Sequence, residues 1–208
     1  MCEWHDVFQP IFQVDKDLNP SVDHYEMLLC DQNGKFPIDD FFRVIGTEED
    51  NQQWIQTESQ ALAKVFKACP NIHVNLNIEP VQFTYPSVWD FLKQTYDRYG
   101  QKVIIEITER QLQAGSIGGN SFSFVSHHLD QISIIKLSLL IFDDISTEMM
   151  IQFIDAWVAF AKEKHLSIVL EAVRSKEIAQ RYAGNKNIYQ QGYYWEKGLE
   201  LKDMPEEI

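Results

Sequence analysis

Basic residues are scarce in this chain. Its 208 residues include 18 Lys and Arg against 31 Asp and Glu, which gives a formal net charge of −13. Neutralising a nucleic-acid backbone or an anionic membrane surface takes clustered cations, so this balance argues against both. We therefore expect neither nucleic-acid nor membrane binding.

Cysteine is also sparse, and targeting signals are missing. The cysteines are three in number, widely spaced and without a C-x-x-C pair, which is typical of reduced thiols in the cytosol. The first residues have neither the basic start nor the apolar stretch of a secretory signal. No apolar run approaches the roughly 18 residues that a membrane helix needs. We expect a cytoplasmic protein with a single domain over residues 1–208.

Apolar strand-like runs alternate with amphipathic helical segments along the chain. Residues 147–164 show the clearest helical periodicity, and residues 103–107 the clearest buried-strand pattern. The alternation predicts an α/β protein with parallel strands and right-handed crossovers. The predicted strands are residues 7–13, 22–30, 72–77, 103–107, 134–138, 167–173 and 188–195. The predicted helices are residues 54–68, 88–96, 122–129, 147–164 and 175–182, with a loop over residues 111–120.

Five of these strands carry a polar residue near the carboxyl end: Glu26, Asn75, Glu106, Lys136 and Glu171. A carboxylate inside a buried strand costs several kcal/mol unless a metal, a cation or hydrogen-bond donors accompany it. The carboxyl ends of parallel strands lie on one face, which is where βα barrels build their sites. The five side chains are therefore candidate site residues.

Seven short segments carry a family resemblance when they are taken in chain order. They resemble the strand segments of the EAL family, the cyclic di-GMP phosphodiesterase domain, over nearly the whole chain. The resemblance implies an EAL-type modified TIM-like βα barrel. The segments are Phe8-Gln9-Pro10-Ile11, Tyr25-Glu26-Met27-Leu28-Leu29, Val74-Asn75-Leu76-Asn77, Ile105-Glu106-Ile107-Thr108-Glu109, Ile135-Lys136-Leu137, Leu170-Glu171-Ala172-Val173 and Gln191-Gly192-Tyr193-Tyr194-Trp195-Glu196-Lys197.

The resemblance also implies residue roles. In the family, two Mg²⁺ or Mn²⁺ ions activate water for attack on the phosphodiester. Glu26, Asn75 and Glu106 match metal ligands of that site. Lys136 and Glu171 match the residues that help to orient or activate this water. Gln9 and Gln191 match residues that touch the nucleotide.

The departures from the family pattern bear on activity. The family's tandem aspartate motif, Asp-Asp-Phe-Gly-Thr-Gly, ends a strand between those that carry Glu106 and Lys136. Here these residues are 30 positions apart (136 − 106), and one βαβ unit already takes roughly 30 residues. This spacing predicts that a whole strand–helix unit is deleted together with the Asp pair. Asp143-Asp144 is not a substitute, because it comes after Lys136. Cys30 stands where the family has a phosphate-binding Arg, and Ser138 where it has an Asp.

These losses predict a catalytically inactive domain that regulates by binding a protein partner or a second copy of itself. We expect no cofactor, or at most one Mg²⁺ or Mn²⁺ ion on the relic ligands Glu26, Asn75 and Glu106. One alternative is a sensor that binds cyclic di-GMP without hydrolysing it, weakly because a metal-free acidic site repels phosphate. The other is a weak metal-dependent cyclic di-GMP phosphodiesterase.

Overall fold

The computed structural model describes residues 5–31, 33, 41, 45–107, 133–142 and 144–205. The chain forms two compact units. The first comprises Met1–Gln9, His24–Ile117 and Gly198–Ile208, and the second comprises Pro10–Asp23 and Gly118–Lys197. The assignment of residues 1–208 to one domain stays a prediction.

Strands and helices alternate after an initial pair of strands. The strands are β1 His5–Val14, β2 Pro20–Cys30, β3 Val74–Ile78, β4 Val103–Ile107, β5 Ile134–Ser138, β6 Ser167–Glu171 and β7 Ile188–Gln190. The α-helices are α1 Glu48–Ala68, α2 Pro86–Tyr99, α3 Thr147–Glu163 and α4 Lys176–Arg181. Short 3-10 helices cover Pro80–Thr84, Gly100–Lys102, Leu139–Phe142 and Leu201–Asp203. No described helix is both long and apolar enough to cross a bilayer.

In the first unit, a parallel β2-β3-β4 ladder carries helices α1 and α2. The Thr47 hydroxyl accepts a hydrogen bond from the Asp50 amide and so caps α1, whose first turn is acidic. Trp54 of α1 meets Phe91 of α2 edge to face, with ring centroids 5.7 Å apart. Burial of apolar residues such as Leu62, which is fully buried, supplies the main stabilisation of this layer.

In the second unit, strands β5, β6 and β7 are parallel, and β1 runs antiparallel to β7 with Phe12 opposite Gln190. Helix α3 begins at Ser146, whose hydroxyl accepts from the Met149 amide. Its inner face packs on the strands through a buried cluster. That cluster includes Ile135, Leu137, Ile154, Ala161, Ile168, Leu170, Val173, Ile178 and Ile188.

The structure confirms the predicted α/β class, and β4 and β5 have the predicted bounds. The expectation of parallel strands throughout is wrong for β1. A turn over residues 15–19, in which the Asp15 carboxylate accepts from two backbone amides, folds β1 directly back on β2. A hairpin of this kind forces antiparallel strands. The predicted loop 111–120 and helix 122–129 lie outside the described residues.

Strand β7 ends at Gln190, five residues before the predicted end. Gly192 has φ 145, and the Trp195 amide donates to the Gly192 carbonyl, so the chain turns instead of continuing the strand. A Cβ on Gly192 would lie 2.4 Å from the Val173 amide nitrogen. Only glycine fits this close approach between backbones.

Candidate functional site

The first unit assembles a group of carboxylates and amides on the neighbouring strands β2, β3 and β4, although Asn75 is the second residue of β3 and does not lie near its carboxyl end as predicted. Strand pairing sets Glu26 beside Asn75 and Asn77 beside Glu106. Side chains two positions apart on a strand lie on one face, so Asn75 and Asn77 share a side of β3. Glu26 is 7% exposed and Asn75 4% exposed, so the group is largely removed from solvent.

Asparagine amides hold both carboxylates in place. Asn77 Nδ2 donates to Glu26 Oε1 at 3.0 Å, and Asn75 Nδ2 donates to Glu106 Oε2 at 3.3 Å. An oxygen of Glu26 and an oxygen of Glu106 lie within 4.8 Å of each other. Two carboxylates this close repel one another where water is largely excluded, and a bound cation relieves that repulsion.

The amide oxygen of Asn75 adds a third oxygen ligand. Asn75 Oδ1 is buried and has no hydrogen-bond partner among the described residues. An orphaned buried acceptor costs free energy unless a donor or a cation satisfies it. Two carboxylates and one amide oxygen form the donor set that hard divalent cations such as Mg²⁺, Mn²⁺ and Ca²⁺ prefer. Glu26, Asn75 and Glu106 therefore fit one divalent cation.

The second unit holds an ion pair between Lys136 in the middle of β5 and Glu171 at the end of β6. Lys136 Nζ lies 2.6 Å from Glu171 Oε1, and the two side chains are 14% and 26% exposed. Strand register sets Ser138 opposite Glu171. The structure thus brings together Lys136 and Glu171, the two residues predicted to orient or activate the water. Each side chain neutralises the charge of the other.

Backbone contacts fix the segment that follows Glu171. Ala172 has φ 57, a left-handed conformation that costs a non-glycine residue roughly 1–2 kcal/mol. The Val173 amide donates to the Gln191 carbonyl, and the Gln191 amide donates to the Leu170 carbonyl. Gln191 is therefore held firmly, with 2% exposure.

The other predicted site residues are placed as follows. Gln9 is half-buried on β1, and its role and that of Gln191 as nucleotide ligands stay predictions. Cys30 is buried, and burial followed by the nearby acids Asp31, Asp6 and Glu200 raises the pKa of its thiol. A neutral buried thiol provides neither the charge nor the two-pronged donors of an arginine.

Asn77, whose amide orients Glu26, is not among the predicted site residues. The strand periodicity could have identified Asn77, because Asn75 and Asn77 are two positions apart and therefore share a face of the strand. A polar residue at both positions indicates that this face of β3 lines a polar site.

Solved structures similar to this chain are EAL domain proteins. The EAL enzyme Bd1971, with cAMP and cyclic di-GMP bound, is 18% identical with TM-score 0.73, covering 96% of this chain and 63% of that chain. An EAL domain protein from Listeria monocytogenes is 19% identical with a TM-score of 0.72. The match covers 96% of this chain and 90% of the Listeria chain. BlrP1 from Klebsiella pneumoniae, in complex with calcium and cyclic di-GMP, is 17% identical with a TM-score of 0.71. The match covers 94% of this chain and 56% of the BlrP1 chain.

This chain thus spans a little under two thirds of the Bd1971 chain. No protein-family model and no curated protein sequence matches it. At these identities the likeness establishes the fold, and it confirms the predicted EAL-type fold class.

Proposed function

We propose that this chain, which has the fold of EAL domains, is a catalytically inactive regulatory module in cyclic di-GMP related signalling in bacteria. It acts in the cytoplasm by binding a protein partner. The observation that carries the proposal is the short connection between β4 and β5. Glu106 and Lys136, near the ends of these strands, are 30 positions apart.

The sheet pairings support this reading. Among the described strands, β4 has the single neighbour β3, and β5 has the single neighbour β6. A strand that carried the tandem aspartates would need its own crossover on each side, and one βαβ unit alone takes roughly 30 residues. The connection has room for one crossover, so the acidic pair has no place in it.

Loss of that pair limits the metal chemistry. Glu26, Asn75 and Glu106 would hold one cation, which when bound supplies Lewis-acid polarisation and lowers the pKa of a ligated water. Hydrolysis by two metals needs a second ion roughly 4 Å away, held by further carboxylates. In the second unit Glu171 is engaged by Lys136 at 2.6 Å, so both charges are already partnered.

Substrate binding is weakened as well. The position that resembles a phosphate-binding arginine is the buried, neutral Cys30. Because the chain carries a net charge of −13, an anionic dinucleotide meets net repulsion on approach. These features favour a protein partner over turnover of a nucleotide.

Incubation with cyclic di-GMP and Mg²⁺ or Mn²⁺, followed by chromatography for the linear dinucleotide, tests the proposal. We expect no product above that of Glu26→Gln, which removes a ligand from the only metal group we assign. An active EAL domain run in parallel shows that the assay works. Turnover near the enzyme median of about 10 s⁻¹ that Glu26→Gln abolishes would overturn the proposal.

The second candidate is a sensor that binds cyclic di-GMP without cleaving it. The observation that favours it is the retained group Glu26, Asn75 and Glu106, together with the similarity to structures that contain cyclic di-GMP. Calorimetry with and without Mn²⁺ separates the two. Metal-dependent binding that Gln9→Ala and Gln191→Ala weaken would favour the sensor, whereas no heat of binding favours the protein-interaction module.

A further inference from the structure

An exposed apolar surface lies on the second unit, where the Leu139–Phe142 3-10 helix leads into α3. Four of the nine large apolar side chains that are exposed in the described residues fall within residues 140–153. We name this surface the α3 patch. It comprises Leu140, Ile141, Met149 and Phe153, which are 48%, 69%, 49% and 49% exposed. Exposed apolar side chains grouped on one segment in this way are typical of interaction sites on folded proteins.

The α3 patch is held in one arrangement. The Phe142 ring, which is buried, stacks on the Phe153 ring with centroids 5.3 Å apart, and so ties the 3-10 helix to α3. The Ile145 amide donates to the Phe142 carbonyl, and Ser146 caps α3 by accepting from the Met149 amide. A preformed surface loses little conformational entropy on binding, which favours its use as a docking site.

The charges around the α3 patch indicate what it binds. Between Lys136 and Lys162 the chain has no basic residue and four acidic ones: Asp143, Asp144, Glu148 and Asp155. Asp155 already pairs with Arg181 at 2.7 Å, and Asp144 and Glu148 are exposed near the patch. The exposed charges that this segment places beside the patch are therefore acidic.

A second copy of the chain fits this surface poorly. A two-fold axis through the α3 patch would place Asp144 and Glu148 of both copies in one interface, between chains that each carry −13. Like charges that face each other across an interface cost binding energy, whereas opposite charges speed association and fix orientation. The complementary occupant is apolar in the centre and basic at its edges.

We infer that the α3 patch binds an amphipathic helix of a partner protein. That helix has apolar side chains at helical spacing along one face and Lys or Arg beside them. This inference rests on the proposed function, whose partner it specifies by chemistry. The apolar side chains cover Ile141 and Phe153, and the basic side chains meet Asp144 and Glu148.

A labelled synthetic helix of about 18 residues, with Leu on one face and Lys elsewhere, is the probe for this mode of recognition. Its fluorescence anisotropy is followed as the full chain is added, and a matched peptide with Glu in place of Lys is the control. We expect the Lys peptide to bind, the Glu peptide not to bind, and affinity to fall as salt is added.

Substitutions locate the binding surface. Ile141→Ser, at the most exposed position of the α3 patch, is expected to weaken binding at least about tenfold, the loss typical of a central apolar contact. Tyr96→Ser on α2, where Tyr96 is 65% exposed, is the matched control and is expected to leave affinity within about twofold. If Phe153→Ser impairs folding because its ring stacks on Phe142, Ile141→Ser and Leu140→Ser still test the surface.

Three results would overturn the inference: no binding of the Lys peptide, equal binding of the Glu peptide, or unchanged affinity in Ile141→Ser. A dimer in sedimentation that Ile141→Ser dissociates would assign the surface to a second copy instead. Turnover of cyclic di-GMP with intact peptide binding would reject the proposed function but retain the surface. Lack of both turnover and peptide binding would reject the surface alone.

Discussion

Lys136 Nζ lies 2.6 Å from Glu171 Oε1 on two neighbouring parallel strands, with both side chains largely shielded from solvent. At this degree of burial each charge depends on the other, because removing one leaves its partner partly desolvated and uncompensated. This pair is thus expected to contribute to the stability of the second unit, whatever its part in the site.

The first prediction concerns the strength of this pair. Lys136→Met and Glu171→Gln should each lower the free energy of unfolding by roughly 1–3 kcal/mol, with a coupling energy of about 1–2 kcal/mol in the double-mutant cycle. Urea unfolding measures all three variants. The exposed pair Lys164–Glu163, at 2.8 Å, is the matched control and should show no measurable coupling. Equal coupling in the two pairs would contradict the prediction.

The second prediction concerns metal binding in the first unit. Mn²⁺ at ten times its dissociation constant should raise the free energy of unfolding by about 1.4 kcal/mol, through binding to the folded state alone. Glu26→Gln and Glu106→Gln should abolish this stabilisation, because each removes a carboxylate from the group. Asp90→Asn, at an exposed position on α2, is the control and should respond as the unmodified chain does.

Asn77 gives a finer test of the same site. Its amide holds Glu26 at 3.0 Å without being a proposed ligand, so Asn77→Ala should weaken Mn²⁺ binding about 10–100-fold while the stoichiometry stays at one. Calorimetry gives both quantities. A stoichiometry of two ions per chain would show that further carboxylates complete a binuclear site, and would revive the phosphodiesterase alternative.

Local pattern predicted much of this fold and part of the site. The Val- and Ile-rich runs of β4 and β5 define those strands without tertiary information. A polar residue within each apolar run is the basis for predicting Glu26, Asn75, Glu106, Lys136 and Glu171 as site residues, and their roles stay predictions. The apolar periodicity predicts that α1 starts at Trp54, whereas the helix begins at Glu48. Its first turn is polar, although Thr47 followed by acids is a capping signal.

The remaining features depend on contacts between distant residues. The end of β7 at Gln190 follows from the close approach of Gly192 to the Val173 backbone, which no local pattern contains. The pairing of Asn77 with Glu26 spans 51 positions and requires the strand register. The exposure of the α3 patch also depends on tertiary packing, because an apolar residue such as Ile141 or Phe153 is equally compatible with a buried or an exposed position until the neighbouring elements are placed.

The third prediction concerns Ala172, which follows Glu171 directly and has φ 57. This left-handed conformation strains alanine, whereas glycine adopts it freely. Ala172→Gly should therefore raise the free energy of unfolding by roughly 1 kcal/mol, after allowance for the greater freedom of glycine in the unfolded chain. Thermal and urea unfolding measure the change.

The control for Ala172→Gly is the same substitution in a right-handed helix. Ala156 is exposed within α3, so Ala156→Gly should destabilise the chain by about 1 kcal/mol. The two changes are chemically identical and are expected to have opposite signs. A loss of stability in both variants would show that residue 172 does not occupy the left-handed region.

The last prediction concerns the pH dependence of stability in the first unit. Burial raises the pKa of Asp6 from 3.8 to about 6, against the lowering influence of His5 and Lys64. Burial, and then the charge of Asp6, also raise the pKa of Glu58 well above its usual range. The folded state therefore holds these protons more tightly than the unfolded chain, so stability falls as pH rises. For Asp6 the fall begins near pH 4 and is complete above about pH 7.

Asp6→Asn removes this titration and should stabilise the chain at pH 7.5 by roughly 1–3 kcal/mol, with an effect about a third as large at pH 4.5. Glu58→Gln should likewise reduce the loss of stability with rising pH, because the amide resembles the protonated acid that the buried site favours. Urea unfolding at pH 4.5, 6 and 7.5 gives the slopes, with Asp17→Asn at an exposed turn as the control. If Asp6→Asn lost stability with rising pH as steeply as the unmodified chain, Asp6 would be ionised in the folded state over the whole range, and burial would not govern its charge.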